Sequence, residues 1–187
     1  MESFLTYINQ FSQLSEQAVH DIKKIAVNVQ FPKKHLLIPK LAQCQYLYFI
    51  EKGLARAFFD HNGKEITDWF GMENMIIGPI VRNFSVKETL HSVELLEASE
   101  MVRISFSDLE NLYQKHHDIE RLGRQIAIQS ILNLQYKIDS LQLFSAKERY
   151  NDFLKRYPSL INRTSLGYIA SYLGMNQITL SRIRKMP

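Results

Sequence analysis

The residues of this 187-residue chain best suited to chemistry gather near its C-terminal end, in SLGYIASYLGMNQITLSRIRK, Ser165 to Lys185. Gln177, Ile178 and Arg182 fall within one polar, basic helical face, with Asn176, Thr179, Ser181, Arg184 and Lys185 around them. Gln can bond an adenine edge through two hydrogen bonds, and Arg can do the same with guanine O6 and N7. Ile178 can touch a thymine methyl or simply pack. The amide, hydroxyl and cationic groups at 176, 179, 181, 184 and 185 suit phosphate, which positions a helix without reading sequence. Catalytic motifs are missing: there is no G-x-S-x-G elbow, P-loop or G-x-G-x-x-G run, and Cys44 has no motif around it. His20, His35, His61, His91, His116 and His117 show no metal-ligand spacing, so neither a metal nor another cofactor is expected.

The elements that must carry this face are two short helices and a tight turn. Ile169, Ala170 and Leu173 give the first helix an apolar side, and Gly174 can end it in a left-handed conformation without a Cβ clash. Asn176 is a good N-cap for the second helix, where Ile178, Leu180 and Ile183 supply apolar contacts. This is the pattern of a DNA-reading helix-turn-helix, whose second helix enters the major groove. The alternative, a buried helical hairpin, would need a far less polar second helix.

Charge is distributed to match. From Ser145 onward eight basic side chains (Lys147, Arg149, Lys155, Arg156, Arg163, Arg182, Arg184 and Lys185) face two acidic ones, Glu148 and Asp152. Residues 1–144 carry a net −2, so the basic balance of the whole chain, +4, belongs to the C-terminal segment. No apolar run is long enough to span a membrane. The N-terminus lacks the basic and apolar regions of a secretion signal. A single cysteine allows no internal disulfide. A cytoplasmic location is expected.

Toward the N-terminus the apolar period of residues 3–28 is helical, with a break near Ser15. Short β-branched and aromatic segments follow: Leu36–Ile38, Tyr46–Ile50, Leu54–Phe59, Ile66–Phe70, Val86–Leu96 and Met101–Ile104. Turns at Glu51–Gly53 and at the Asn62-Gly63 pair separate them, which suggests a β-roll or small barrel. A capping box at Ser107–Glu110 starts a helix to about His116, and Asp118 caps the longest helix, to about Leu143. That helix carries two apolar stripes. The second, Ile131, Leu134, Ile138 and Leu141, calls either for the same helix of another subunit or for a second domain of this chain. A second capping box, Ser145–Glu148, makes Phe144-Ser145 the hinge to a helix that stops before Pro158. Only two residues follow Lys185, so any β-wing would have to come from 158–164.

The run IASYLGMNQITLSRIRK resembles the C-terminal module of the cyclic-AMP-receptor/FNR (Crp/Fnr) family of bacterial transcription regulators, and YLYFIEKGLARAFFDHNGKEIT resembles strand pairs of its effector-binding β-roll. Gly53 and Arg56 fall where the family pattern has them. The resemblance is close over the last forty or so residues and looser over nearly the whole chain. It implies an α+β architecture: a cyclic-nucleotide-binding-like β-roll with N-terminal helices (1–117), a long dimerisation helix (118–143), and a compact, winged-type helix-turn-helix domain (144–187). Matched on the turn glycine, Gln177, Ile178 and Arg182 fall at the base-reading positions, and family dimers bind pseudo-palindromic double-stranded DNA. Ile178 departs from the carboxylate of better-known members, so their recognition sequence does not carry over.

The effector region departs further. Members that bind cyclic AMP hold its phosphate with a glycine-glutamate loop and an arginine-serine pair; here Gly78 is followed by Pro79, and His91 or Leu90 precedes the retained Ser92. Pro79 also removes a backbone donor. Leu134 and Gln135 take the purine-facing places on the long helix, and Arg82 is a substitute anion partner. The expectation is therefore a DNA-binding homodimer, not an enzyme, answering to an unidentified small-molecule effector other than cyclic AMP. Its rivals are a β-roll scaffold that uses the C-terminal module for protein contacts, and a cupin-like metal enzyme.

Overall fold

The computed structural model describes residues 1–78 and 91–185. The chain begins with helices α1 (Glu2–Asn9) and α2 (Glu16–Ile25), the second capped by Ser15, whose hydroxyl accepts from the Ala18 N–H. Strands follow: β1 (Val27–Phe31), β2 (Leu36–Ile38), β3 (Tyr46–Lys52), β4 (Ala55–His61), β5 (Lys64–Gly71), β6 (Ile76–Ile77), β7 (Ser92–Leu95) and β8 (Ser99–Ser105). β1 corrects the sequence reading, which carried helix through residue 28. Val27 and Asn28 instead pair with Arg103 and Val102 of β8. The part of the expected Val86–Leu96 strand before His91 lies outside the described residues.

The strands form two antiparallel four-stranded sheets, β1-β8-β3-β6 and β2-β7-β4-β5. Asn62 and Gly63, both at positive φ, make the two-residue turn between β4 and β5. Gly53, at φ +122°, lets β3 turn into β4 against β8; a Cβ there would lie 2.2 Å from the Ser99 hydroxyl. Between the sheets lie Ile38, Tyr48, Ile50, Ile77, Val93, Leu95 and Met101, all buried. Ala55 and Ala57 point into this interior, and Arg56 between them points out of the second sheet, as strand alternation requires.

Helices α3 (Phe106–Lys115) and α4 (His117–Leu143) then pack with α1 and α2 on the outside of the first sheet. Phe4, Ile8 and Ile22 meet Phe49, Val102 and Ile104 there, joined by Leu112, Ile119 and Leu122. Neither expected cap on this stretch forms. Phe106 already donates its N–H to the Gln45 carbonyl, extending the strand ladder to the first residue of α3, and the Ser107 hydroxyl pairs with that of Ser105. Asp118 lies inside α4 and accepts from the Ser15 N–H at 2.7 Å. No helix among the described residues is long and apolar enough to cross a membrane.

The C-terminal part is α5 (Ala146–Arg156), a 3-10 turn at Leu160–Asn162, α6 (Leu166–Tyr172) and α7 (Gln177–Lys185). The Ser145–Glu148 capping box forms in both directions. Residues 158–164 contain the 3-10 turn, and no strand follows β8 among the described residues, so the winged-type module has no wing there. This part covers the outside of the second sheet. Leu54 and Phe70 of the roll share one core with Tyr150, Phe153, Leu160, Ile169, Ala170, Leu173, Leu180 and Ile183.

Candidate nucleic-acid interface

The turn between α6 and α7 is built as its residues dictate. Gly174 sits at φ +64°, and the N–H groups of Gly174 and Met175 return to the carbonyls of Ser171 and Ala170. Asn176 caps α7, its side-chain oxygen accepting from the Thr179 N–H at 2.8 Å. Ala170 is buried where the two helices meet, and Leu180 and Ile183 anchor α7 from below.

The other side of α7 is left open. Gln177, Ile178, Ser181, Arg182 and Lys185, at helix positions i, i+1, i+4, i+5 and i+8, are all exposed and share one face. Arg184 and Asn176 are exposed at its flanks, and Thr179 is half-buried. Ile178 is 66% exposed, so of its two uses packing within this chain is not the one it has. The Gln177 side-chain oxygen lies beside Gly167 of α6, where a Cβ would come within 3.5 Å. A convex helix with amide, aliphatic and guanidinium groups on one open face has the shape and the donors to enter a major groove.

The comparisons agree on the architecture. FixK2 from Bradyrhizobium japonicum superposes with a TM-score of 0.75 at 17% identity, over 86% of this chain and 83% of that one. The c-di-GMP responsive global regulator CLP of Xanthomonas campestris gives 0.71 at 14% identity, over 91% and 90%. A chain from Eubacterium rectale, assigned to the transcriptional regulators of the Crp/Fnr family, gives 0.71 at 15%, over 91% and 82%. The fold is that of the Crp/Fnr regulators. No protein-family model matches the sequence. No curated protein matches it either.

Within this Crp/Fnr fold, at least three of the eight basic residues after Ser145 make contacts within the chain. Arg149 donates to the carbonyls of Leu173 and Phe144, at 2.8 and 2.7 Å. Arg156 lies over the Tyr136 ring, 4.3 Å from its centroid. Arg163 is held by Glu73 and Glu97. The cationic groups on the open face are Arg182, Arg184 and Lys185, so that face is more sharply defined than the charge count implies.

The candidate effector residues are spread over separate surroundings. Gly78 lines a cavity of about 800 Å³ between α1, α3, α4 and the first sheet, with Tyr7, Phe106, Tyr113 and Ala127 among its walls. Burial pushes the Tyr113 phenol up to about 12. Ser92 accepts from the Lys40 N–H at 3.2 Å, and His91 bonds Asp68 at 3.1 Å. Asp68 also accepts from Lys137 of α4, at 2.6 Å. Burial raises the Asp68 carboxyl, but the bonds from His91 and Lys137 outweigh it and hold it at about 2. Leu134 is 54% exposed on α4, and Gln135 next to it donates to Asp139. Arg82 lies outside the described residues, as do Pro79 and Leu90.

The second apolar stripe of α4 is open. Ile131, Leu134, Ile138 and Leu141 are 62, 54, 49 and 43% exposed, with Ile128 and Leu132 beside them. Leu141 also reaches the helix-turn-helix: a Cβ on Gly174 would lie 3.0 Å from its terminal methyl. Among the described residues no three His, Cys, Asp or Glu side chains converge to hold a metal ion.

Proposed function

We propose that this chain is a sequence-specific DNA-binding transcription regulator of Crp/Fnr type, working as a homodimer. One observation carries the reading: α7 buries Leu180 and Ile183 while leaving Gln177, Ile178, Ser181 and Arg182 uncovered on a fold of this class. Gln177, Ile178 and Arg182 read base edges; Asn176, Thr179, Ser181, Arg184 and Lys185 contact phosphates. The exposed stripe on α4 supports pairing with a second copy, because a stripe of this size left in water is unfavourable and identical helices cover one another. Two recognition helices then lie about one turn of DNA apart, on a pseudo-palindromic site.

The effector is a molecule other than cyclic AMP. The roll interior is filled by apolar side chains, Arg56 points away from it, and Ser92 is bonded to the chain at Lys40.

Selection of fragments of the source genome by the purified protein tests the reading. Enrichment of a two-fold-symmetric site, weakened about ten- to a hundredfold by Arg182→Ala, is the expected result. No binding even at low salt, where the phosphate contribution is greatest, would overturn it. Function unchanged by both Gln177→Ala and Arg182→Ala would favour the scaffold reading.

A further inference from the structure

The contact between the helix-turn-helix and the roll of its own chain is more than an apolar patch. Arg163, just after the 3-10 turn, reaches two carboxylates of the roll at once. Its Nη1 and Nη2 each donate to Glu73 at 2.8 Å, while Nε and Nη2 donate to Glu97 at 3.0 and 2.7 Å. Nη2 also lies 3.2 Å from the Gly53 carbonyl, and Glu73 accepts in turn from the Gly53 N–H at 2.9 Å. A planar fork held on two sides fixes orientation as well as distance, which a single ion pair does not.

Two further contacts lie along the same seam. The Ser171 hydroxyl of α6 accepts from the Thr67 N–H of β5 at 2.9 Å, and the fully buried Arg56 guanidinium lies 3.7 Å from the centroid of the Tyr168 ring. The end of α4 is held to both parts. Lys137 bonds Asp68 of the roll, Tyr136 donates to Asp152 of α5 at 2.7 Å, and Arg149 donates to the carbonyls of Phe144 and Leu173, the residues that follow α4 and α6. Phe144-Ser145, which the sequence reading makes a hinge, is thus braced from both sides.

We propose that Arg163 is a positioning residue for DNA recognition. It clamps the helix-turn-helix to its own roll, so that roll, α4 and recognition helix move as one body within each subunit. The separation of the two recognition helices is then set by how the two α4 helices cross, not by a swing of the DNA-binding part about its own hinge. This rests on the dimeric DNA-binding reading above, and the test is chosen to separate the two.

Spin labels on Gln10→Cys and Lys155→Cys, both exposed positions, in a Cys44→Ser background and diluted with unlabelled chain, report the distance from the far side of the roll to α5 within one subunit. The clamp predicts one narrow distribution, unchanged when the selected operator is added. Arg163→Ala broadens it, and Arg163→Lys, which keeps the charge but loses the fork, recovers it only in part. Should Arg163→Ala not fold, Glu97→Gln removes one carboxylate partner and gives the intermediate width. The second readout is a panel of operators with the half-sites moved closer or apart by one base pair. The wild type binds the selected spacing about ten- to a hundredfold better than the shifted ones, and Arg163→Ala narrows that ratio, because a loosened link lowers the effective concentration of the second helix at the right place and raises it at the wrong ones. A broad or two-peaked wild-type distribution, a shift on adding operator, or a narrow distribution in Arg163→Ala overturns the clamp. A narrow, Arg163-dependent distance in a protein that binds no DNA leaves the clamp standing and overturns the DNA reading instead.

Discussion

The two outer faces of the β-roll are covered in different ways. On the first sheet, α1, α2, α3 and the start of α4 meet the strands mainly through apolar side chains, with Phe4 and Tyr7 against Phe49 at ring distances of 5.4 and 5.2 Å. On the second sheet the cover is the C-terminal helical part, and its apolar core is ringed by charge: Arg163 with Glu73 and Glu97, and Lys137 with Asp68. Apolar contact supplies most of the free energy in both but is indifferent to small slides; forked ion pairs contribute less and fix direction. The forked contacts lie on the cover that carries α7. On that face Arg56 Nη2 is buried with no hydrogen-bond partner among the described residues, its guanidinium lying over the Phe58 and Tyr168 rings.

The largest effect expected from breaking this contrast comes from the shared core. Phe153 is buried among Tyr157 and Tyr172, at ring distances of 5.5 and 5.8 Å, in the cluster that also holds Leu54 and Phe70 of the roll. Phe153→Ala should cost about 3–5 kcal/mol. Because the cluster spans both parts, the loss should appear as one shifted transition in urea. Trp69, the only tryptophan, reports the roll, and far-UV circular dichroism reports the helices. Two separate transitions in the wild type would show that the parts unfold independently and would remove the contrast.

A smaller effect probes the charged rim of the second cover by pH. The Arg163 guanidinium holds the Glu73 carboxyl down at about 2 from its ordinary 4.5, against the burial that would raise it, and Asp68 is likewise held at about 2 from 3.8. Groups lowered in this way stabilise the folded state fully above their unfolded values, and that contribution is lost as pH falls through the folded ones. The gap in melting temperature between wild type and Glu73→Gln should be constant above pH about 5 and close between about 4.5 and 2. A gap that persists at pH 2 would mean that Glu73 acts through packing rather than charge.

These contacts mark the limit of what the chain displays in sequence. The helix-turn-helix was legible because its signals are local: Gly174 for the left-handed turn, Asn176 for the cap, and Leu180 and Ile183 three residues apart beneath α7. The Ser145–Glu148 box formed for the same reason. Ser107 and Asp118 carry equally good local signals, but tertiary partners override them, Gln45 by extending the strand ladder to Phe106 and Ser15 by capturing the Asp118 carboxylate. Arg163 had no legible role, because Glu73 and Glu97 lie 90 and 66 residues away and only the fold brings them together. Its charge, part of the basic excess after Ser145, is offset by Glu73 and Glu97. The same holds for Ser92 and His91, whose bonds to Lys40 and Asp68 depend on how the second sheet packs.

The smallest expected effect lies at the start of α7, where stability and recognition meet in one side chain. Asn176 accepts from the Thr179 N–H, and α7 is only nine residues long, so its first turn depends on that bond. Asn176→Ala should cost about 1 kcal/mol, as N-cap removals do. For a chain of this size that is a fall in melting temperature of about 2–4 °C. Asn176→Asp keeps the acceptor and adds a negative charge at a helix N-terminus, so it should melt with the wild type or slightly above it. If α7 enters DNA by its N-terminal half, the two variants must diverge when affinity is measured. The alanine variant loses affinity only as far as its first turn frays. The aspartate variant, better folded, places a carboxylate against the phosphate backbone and should bind worse than the alanine variant, most visibly at low salt. An aspartate variant that binds as well as wild type would mean that the start of α7 does not approach the nucleic acid, and the exposed face of this helix would then serve another partner.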